Sequence, residues 1–109
     1  MAMRKTSIIA FFFFIQSSQI ILPLSKSTFA KNILEIKQTD KKITTANSYV
    51  KEGIKQGKNG NYKEAILSFS KAIIIDEFHS TAYYNRGFAR MNLNNFEAAI
   101  ADYDKAIEI

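Results

Sequence analysis

From Tyr49 onward the chain repeats itself every 34 residues, and that interval constrains its fold more than any other feature. Tyr49 returns as Tyr83, Gly53 as Gly87, Asn61 as Asn95 and Ala65-Ile66 as Ala99-Ile100. Lys71-Ala72-Ile73 returns as Lys105-Ala106-Ile107, and Ile75 as Ile109. Tyr62 exchanges with Phe96 and Phe69 with Tyr103 in the same register. A fixed period of this length marks stacked supersecondary units, none of which can bury its apolar face alone. Such arrays present a long surface and no built-in catalytic pocket, so the repeat points first to binding.

Each unit reads as two helices. Tyr49, Val50, Gly53, Ile54 and Gly57 share one face, and Tyr62, Ala65, Ile66, Phe69, Ala72 and Ile73 share a second. The next unit repeats the design with Ala82, Tyr83, Gly87, Phe88 and Met91, then Phe96, Ala99, Ile100, Tyr103, Ala106 and Ile107. Gly57-Lys-Asn-Gly-Asn61 and Asn94-Asn95 are the turns. Asn61 is an expected N-cap, with Glu64 completing a capping box. Glu97 falls in a first helical turn, where the macrodipole favours an acid. The small residues Gly53, Gly87, Ala65 and Ala99 let two antiparallel helices approach closely.

On these residues the chain resembles tetratricopeptide repeat proteins over roughly residues 46–109. The pattern of aromatic, Gly, Ala, aromatic, Ala is met by Tyr49, Gly53, Ala65, Phe69 and Ala72, and again by Tyr83, Gly87, Ala99, Tyr103 and Ala106. The resemblance implies an all-α fold: antiparallel helix-turn-helix repeats stacked as a short right-handed solenoid. The units would be 46–79 and 80–109, the second incomplete. Two departures stand out. Glu77 occupies the place of the usual proline, and Glu52, Gln56, Arg86 and Arg90 replace a leucine and an aromatic in each first helix. The last apolar stripe has no polar capping helix after it, whereas such arrays normally need one for solubility. The expectation is that these residues are a fragment of a longer array, or the N-terminal adaptor part of a longer protein such as an enzyme, or that the last helix is covered by another molecule, including a homo-oligomer partner.

Residues 1–30 have the order of a secretory leader: a basic start at Arg4-Lys5, an apolar core, then Ser25-Lys-Ser-Thr-Phe-Ala30. Cleavage would fall before Lys31. The alternative is an uncleaved membrane anchor over residues 7–24, barely as long as the ~17–25 residues a spanning helix needs. Either use of the leader places the repeats outside the cytoplasm, as a periplasmic, lumenal, secreted or membrane-anchored domain. Residues 31–45 lack a clear period and read as a linker, with a short helix near Ile33 to Ile36.

The formal charge of +5 overstates how basic the repeats are. Arg4, Lys5 and Lys26 lie in the leader segment, and from Lys31 onward twelve basic residues face ten acidic ones. A balance of +2 does not make the concentrated basic stripe that nucleic acid requires. No cysteine is present, which excludes disulfides and thiolate chemistry. His79, the only histidine, sits beside Asp76 and Glu77 in the inter-repeat turn and reads as a solvated turn residue. Asp102 and Asp104, two apart, point in different directions on a helix and cannot form an acid–base pair. Gly57 to Gly60 lacks the Gly-Lys-Ser/Thr ending of a phosphate loop. No enzyme, metal or cofactor is therefore expected.

The expected site is a non-catalytic one that holds a protein or peptide. The resemblance places it on a concave face lined by the first helix of each repeat. Carried over residue by residue, it comprises Asn47, Val50, Lys51 and Ile54, then Thr81, Tyr84, Asn85, Phe88 and Met91. Family members that clamp a peptide carboxylate use Lys and Asn there; Val50 and Ile54 take two such places, and only Asn85 matches. An apolar, partly aromatic groove suits an amphipathic helix or an extended apolar segment. The alternative is that Ile54, Phe88 and Met91 simply pack between repeats.

Overall fold

The computed structural model describes residues 2–109, with side chains from Lys26 onward. Most of the leader reading, including the apolar stretch 7–24, lies outside the described side chains. Four helices follow in order: α1 (Ala2–Lys58), α2 (Tyr62–Ile75), α3 (Ser80–Asn92) and α4 (Phe96–Glu108). The described residues form no strand. The chain divides into two compact units, Met1–Gln38 and Thr39–Ile109. The second unit holds the end of α1 and the other three helices.

Residues 31–45 are helical throughout, where the sequence suggests only a short helix near Ile33 to Ile36. They contain neither Gly nor Pro, and their Lys, Glu, Gln and Leu are good helix formers. The hydroxyls of Thr44 and Thr45 donate to the carbonyls of Asp40 and Lys41, each at 2.8 Å. These bonds back along the helix satisfy two threonines that would otherwise favour a turn.

Both helix pairs close on the same turn. In the first, the N–H of Asn61 donates to the Gln56 carbonyl at 2.9 Å and that of Gly60 to Gly57 at 3.0 Å. In the second, Asn95 donates to Arg90 and Asn94 to Met91, both at 2.9 Å. This paired pattern ends a helix by turning the residue after it into the left-handed region. Gly60 has φ +77° and Asn94 has φ 61°. Glycine tolerates that backbone freely and asparagine is the next best substitute, so a turn can be repeated with different residues.

Asn61 and Asn95 do precede α2 and α4, but neither side chain caps its helix, so the expected capping box is not formed. Their carbonyls instead accept from Ala65 and Ala99 at 3.0 Å, starting each helix through the backbone. At the α2–α3 corner, Asp76 takes over the role of the missing proline. Its carboxylate accepts from the Phe78 N–H at 3.2 Å and its carbonyl from the His79 N–H at 3.2 Å, a local pair of bonds that bends the chain.

The core is built largely from alanine. Ala46, Ala65, Ala72 and Ala82 are fully buried, with Ala89 and Ala99 beside them. Phe69 is the one large ring at the centre, 2 % exposed, and Val50 is buried against it. Gly53 makes that packing feasible, since a Cβ there would lie 2.6 Å from the Phe69 ring. Alanine contributes little transfer energy, so this core relies on close helix approach and on its polar contacts.

Candidate protein-binding surface

The polar residues that depart from the repeat pattern are the ones that join the helices. Asp102, on α4, is 3 % exposed. Arg86 donates to both of its oxygens, Nε to Oδ2 at 2.9 Å and Nη2 to Oδ1 at 2.7 Å. Arg90 adds Nη1 to Oδ2 at 2.8 Å. A fork-on-carboxylate contact of this type is among the strongest that side chains make. Arg86 also donates through Nη1 to Ser70 Oγ at 3.1 Å, tying α3 to α2 of the preceding repeat.

The first repeat carries a version of the same device that has no ion pair. Ser68, 7 % exposed, donates to Gln56 Oε1 at 2.7 Å, and Gln56 in turn donates to Glu52 at 3.2 Å. Glu52, Gln56 and Ser68 stand 34 positions before Arg86, Arg90 and Asp102. Two of these positions lie on the first helix of the unit and one on the second. A polar link thus replaces the usual leucine and aromatic in both repeats, an ion pair in one and a chain of hydrogen bonds ending on the Glu52 carboxylate in the other.

His79 is more than a solvated turn residue. Its Nδ1 accepts from the Ala82 N–H at 3.3 Å, capping α3, and its Nε2 lies 2.8 Å from Asn47 Oδ1 on α1. With Nδ1 accepting, Nε2 carries the proton and donates to Asn47. The residue spans the corner between repeats.

The nine expected site residues do not form one surface. Val50 is buried in the core, and Asn47 is held by His79. Ile54, Asn85 and Phe88 line a groove of about 400 Å³ with Gly53, Gly57, Lys58, Tyr62, Phe69 and Ala89. Lys51 joins Ile54, Lys55, Lys58 and Asn59 around a smaller hollow of about 270 Å³ alongside. Thr81 and Tyr84 fall elsewhere, in a wider groove of about 600 Å³ with Ser80, Tyr103, Ala106 and Ile107. Met91 is exposed and lines none of these three hollows. The lysines at 51, 55 and 58 recur at i, i+4 and i+7, a spacing that could have marked one helix face.

In the wider groove the Tyr84 and Tyr103 rings lie 5.5 Å apart at 51°. Burial, and secondarily Tyr84, raise the Tyr103 phenol above its ordinary pKa. Among the described residues, no group of three or more His, Asp or Glu is placed to hold a metal ion. No described helix is long and apolar enough to cross a membrane.

Comparison with known proteins agrees with this architecture. The tetratricopeptide repeat pattern matches residues 80–109, the span of α3 and α4. A protein of Methanocaldococcus jannaschii, named Uncharacterized protein MJ0572, is 33 % identical over 60 residues, 55 % of this chain and 70 % of that one. Sperm-associated antigen 1 of Rattus norvegicus is 35 % identical over 71 residues, 65 % of this chain but 8 % of the rat protein. The pattern matched on α3 and α4 is folded once before by α1 and α2, at the same interval and with the same turn. On that footing residues 80–109 carry a tetratricopeptide repeat, a unit that generally holds protein partners and is generally non-catalytic.

Proposed function

We propose that this chain is a scaffold that captures a peptide or helix of a protein partner in the groove between α1 and α3. The observation that carries the reading is the juxtaposition of Ile54 and Phe88 across that groove, with Phe88 half exposed. An exposed aromatic beside a preformed apolar hollow is the usual anchor point of a peptide site. Asn85 supplies an amide at the wall, and Lys51, Lys55 and Lys58 give α1 a basic rim. The fitting ligand is an apolar side chain flanked by acidic residues.

Peptides selected from a random library against the chain should be enriched in that pattern. Truncating a buried aromatic anchor costs at least about 2 kcal/mol, so Phe88→Ala should weaken them roughly thirtyfold, with helical circular dichroism unchanged. Peptides indifferent to both Phe88→Ala and Ile54→Ala would place binding elsewhere and overturn the assignment.

The leader supports export of this scaffold. Residues 1–30 are removed before Lys31, or residues 7–24 hold the chain at a membrane with the repeats outside the cytoplasm. N-terminal sequencing of the protein from cells separates the two. A mature start at Lys31 is the expected result, and an intact Met1 in a soluble cytoplasmic fraction would rule out export.

A further inference from the structure

The two hairpin turns share a backbone but differ in chemistry. Asn59-Gly60 in the α1–α2 turn takes the place that Leu93-Asn94 holds in the α3–α4 turn. Asn59 alone among the chain's asparagines precedes a glycine. An asparagine's side-chain carbonyl carbon lies within reach of the next residue's backbone nitrogen, and a glycine there has no side chain to obstruct ring closure. A Cβ at Gly60 would meet nothing within 4 Å, so no neighbouring element closes over the turn either.

Other asparagines are tied down. The Asn85 and Asn92 amides donate to the Thr81 and Phe88 carbonyls, each at 2.8 Å, and Asn47 is held by His79. Asn59 is exposed, and no described residue bonds its amide. It lines the hollow of about 270 Å³ with Lys51, Lys55 and Lys58. None of those lysines makes an ion pair with a described residue.

Ring closure builds negative charge, first on the Gly60 nitrogen and then on the side-chain oxygen of Asn59. Ammonium groups around the hollow stabilise both. One contact opposes the reaction: the Gly60 N–H donates to the Gly57 carbonyl at 3.0 Å and must be released. Breaking one exposed hydrogen bond holds the rate back by roughly tenfold or less.

We propose that Asn59-Gly60, set in its lysine-lined hollow, is a site of self-modification in the folded chain. The Gly60 nitrogen, having lost its proton to hydroxide, attacks Asn59 Cγ. The new C–N bond closes a succinimide ring as the Cγ–Nδ2 bond breaks, and Nδ2 takes a proton from water and leaves as ammonia. Water then opens the ring. Opening at Cγ leaves an aspartate, and opening at the main-chain carbon reroutes the backbone through Cβ and Cγ as an isoaspartate. Either product sets a carboxylate beside the three lysines. The isoaspartate also lengthens a turn whose Gly60 and Asn61 N–H groups are matched to the Gly57 and Gln56 carbonyls, so it loosens the α1–α2 hairpin. This chemistry needs only the turn and stands apart from peptide capture in the α1–α3 groove.

The intact chain is held in mildly alkaline buffer and digested with trypsin, and the peptides around Asn59 and Asn94 are compared by mass. The Asn59 peptide should gain the mass of an amide exchanged for an acid well ahead of the Asn94 peptide, and should become a substrate of isoaspartyl methyltransferase. Gly60→Asn copies the second turn at the position of positive φ and should bring the rate down to that of Asn94. Lys55→Gln with Lys58→Gln should slow the reaction roughly threefold at low salt, the scale of exposed charge contacts. The isoaspartate fraction should unfold at a lower urea midpoint than Asn59→Asp, which carries the same charge on an unaltered backbone. No gain over Asn94, a gain confined to the urea-unfolded chain, or an equal gain in Gly60→Asn would each overturn the proposal. Indifference to the two lysines would overturn their part in it.

Discussion

Asp102→Ala should destabilise the protein by about 3 kcal/mol, read as the shift in urea midpoint multiplied by the slope of the transition. The carboxylate is 4 % exposed as a side chain, and its two partners are Arg86 at 15 % and Arg90 at 24 %. Removing it leaves two guanidinium groups part-buried and facing each other without a counter-charge. Breaking a buried pair typically costs about 3–5 kcal/mol; the partial exposure of both arginines puts this case at the lower end. A two-repeat array is only marginally stable, so loss of the cooperative transition at 25 °C is also an expected result. A change below about 1 kcal/mol would show that the arginines rehydrate freely and that the link is ornamental to stability.

The first repeat supplies the control for that measurement. Asp102→Ser alone should behave much like Asp102→Ala. The triple variant Arg86→Glu, Arg90→Gln, Asp102→Ser installs the Glu52–Gln56–Ser68 hydrogen-bonded link in the second repeat and should recover most of the loss. The recovery is incomplete because the bond from Arg86 to Ser70 goes with it. Residues in one hydrogen-bonded network couple by about 0.5–3 kcal/mol; strict additivity of the three changes would contradict the view that they act as a unit.

That network marks where reading the sequence stops short. Taken along one helix, Asp102 and Asp104 share no face, but the partners of Asp102 sit on another helix, twelve and sixteen positions back. The signal is available in the register itself: both repeats put polar residues at the same three places, 52, 56 and 68 against 86, 90 and 102. The four-helix layout and both turns were legible because a buried face imposes a period and a left-handed residue demands Gly or Asn. The helix over 31–45 was not, because every side chain from Lys26 to Thr45 is exposed. A helix with no buried face has no stripe to read. The site was partly legible. Ile54, Asn85 and Phe88 share a groove, but Tyr84, one helical turn from Phe88, opens on another. Sequence spacing puts both on one face of α3, and only the packing of α1 and α4 on either side separates them.

Gly53→Ala and Gly57→Ala should move stability in opposite directions, although the two glycines lie one turn apart on the same helix. Alanine is favoured over glycine within a helix by up to about 1 kcal/mol, and that gain is on offer at both positions. At Gly57 nothing opposes it, since the new methyl would meet only the Ala65 Cβ at 4.0 Å. At Gly53 the methyl would lie 2.6–2.8 Å from three atoms of the Phe69 ring. The ring is 2 % exposed and enclosed by alanines, so it cannot swing aside without opening the core. Overpacking of this kind costs about 1–3 kcal/mol, and three contacts this short put Gly53 at the upper end. The expected net change is a loss of about 2 kcal/mol at Gly53 against a gain of a few tenths to 1 kcal/mol at Gly57. Phe69→Leu in the Gly53→Ala background should restore part of the loss, because the smaller side chain vacates the contested space. If the effects of Gly53→Ala and Phe69→Leu simply add, the cost at position 53 does not come from that ring, and close helix approach is not what the recurring glycine provides.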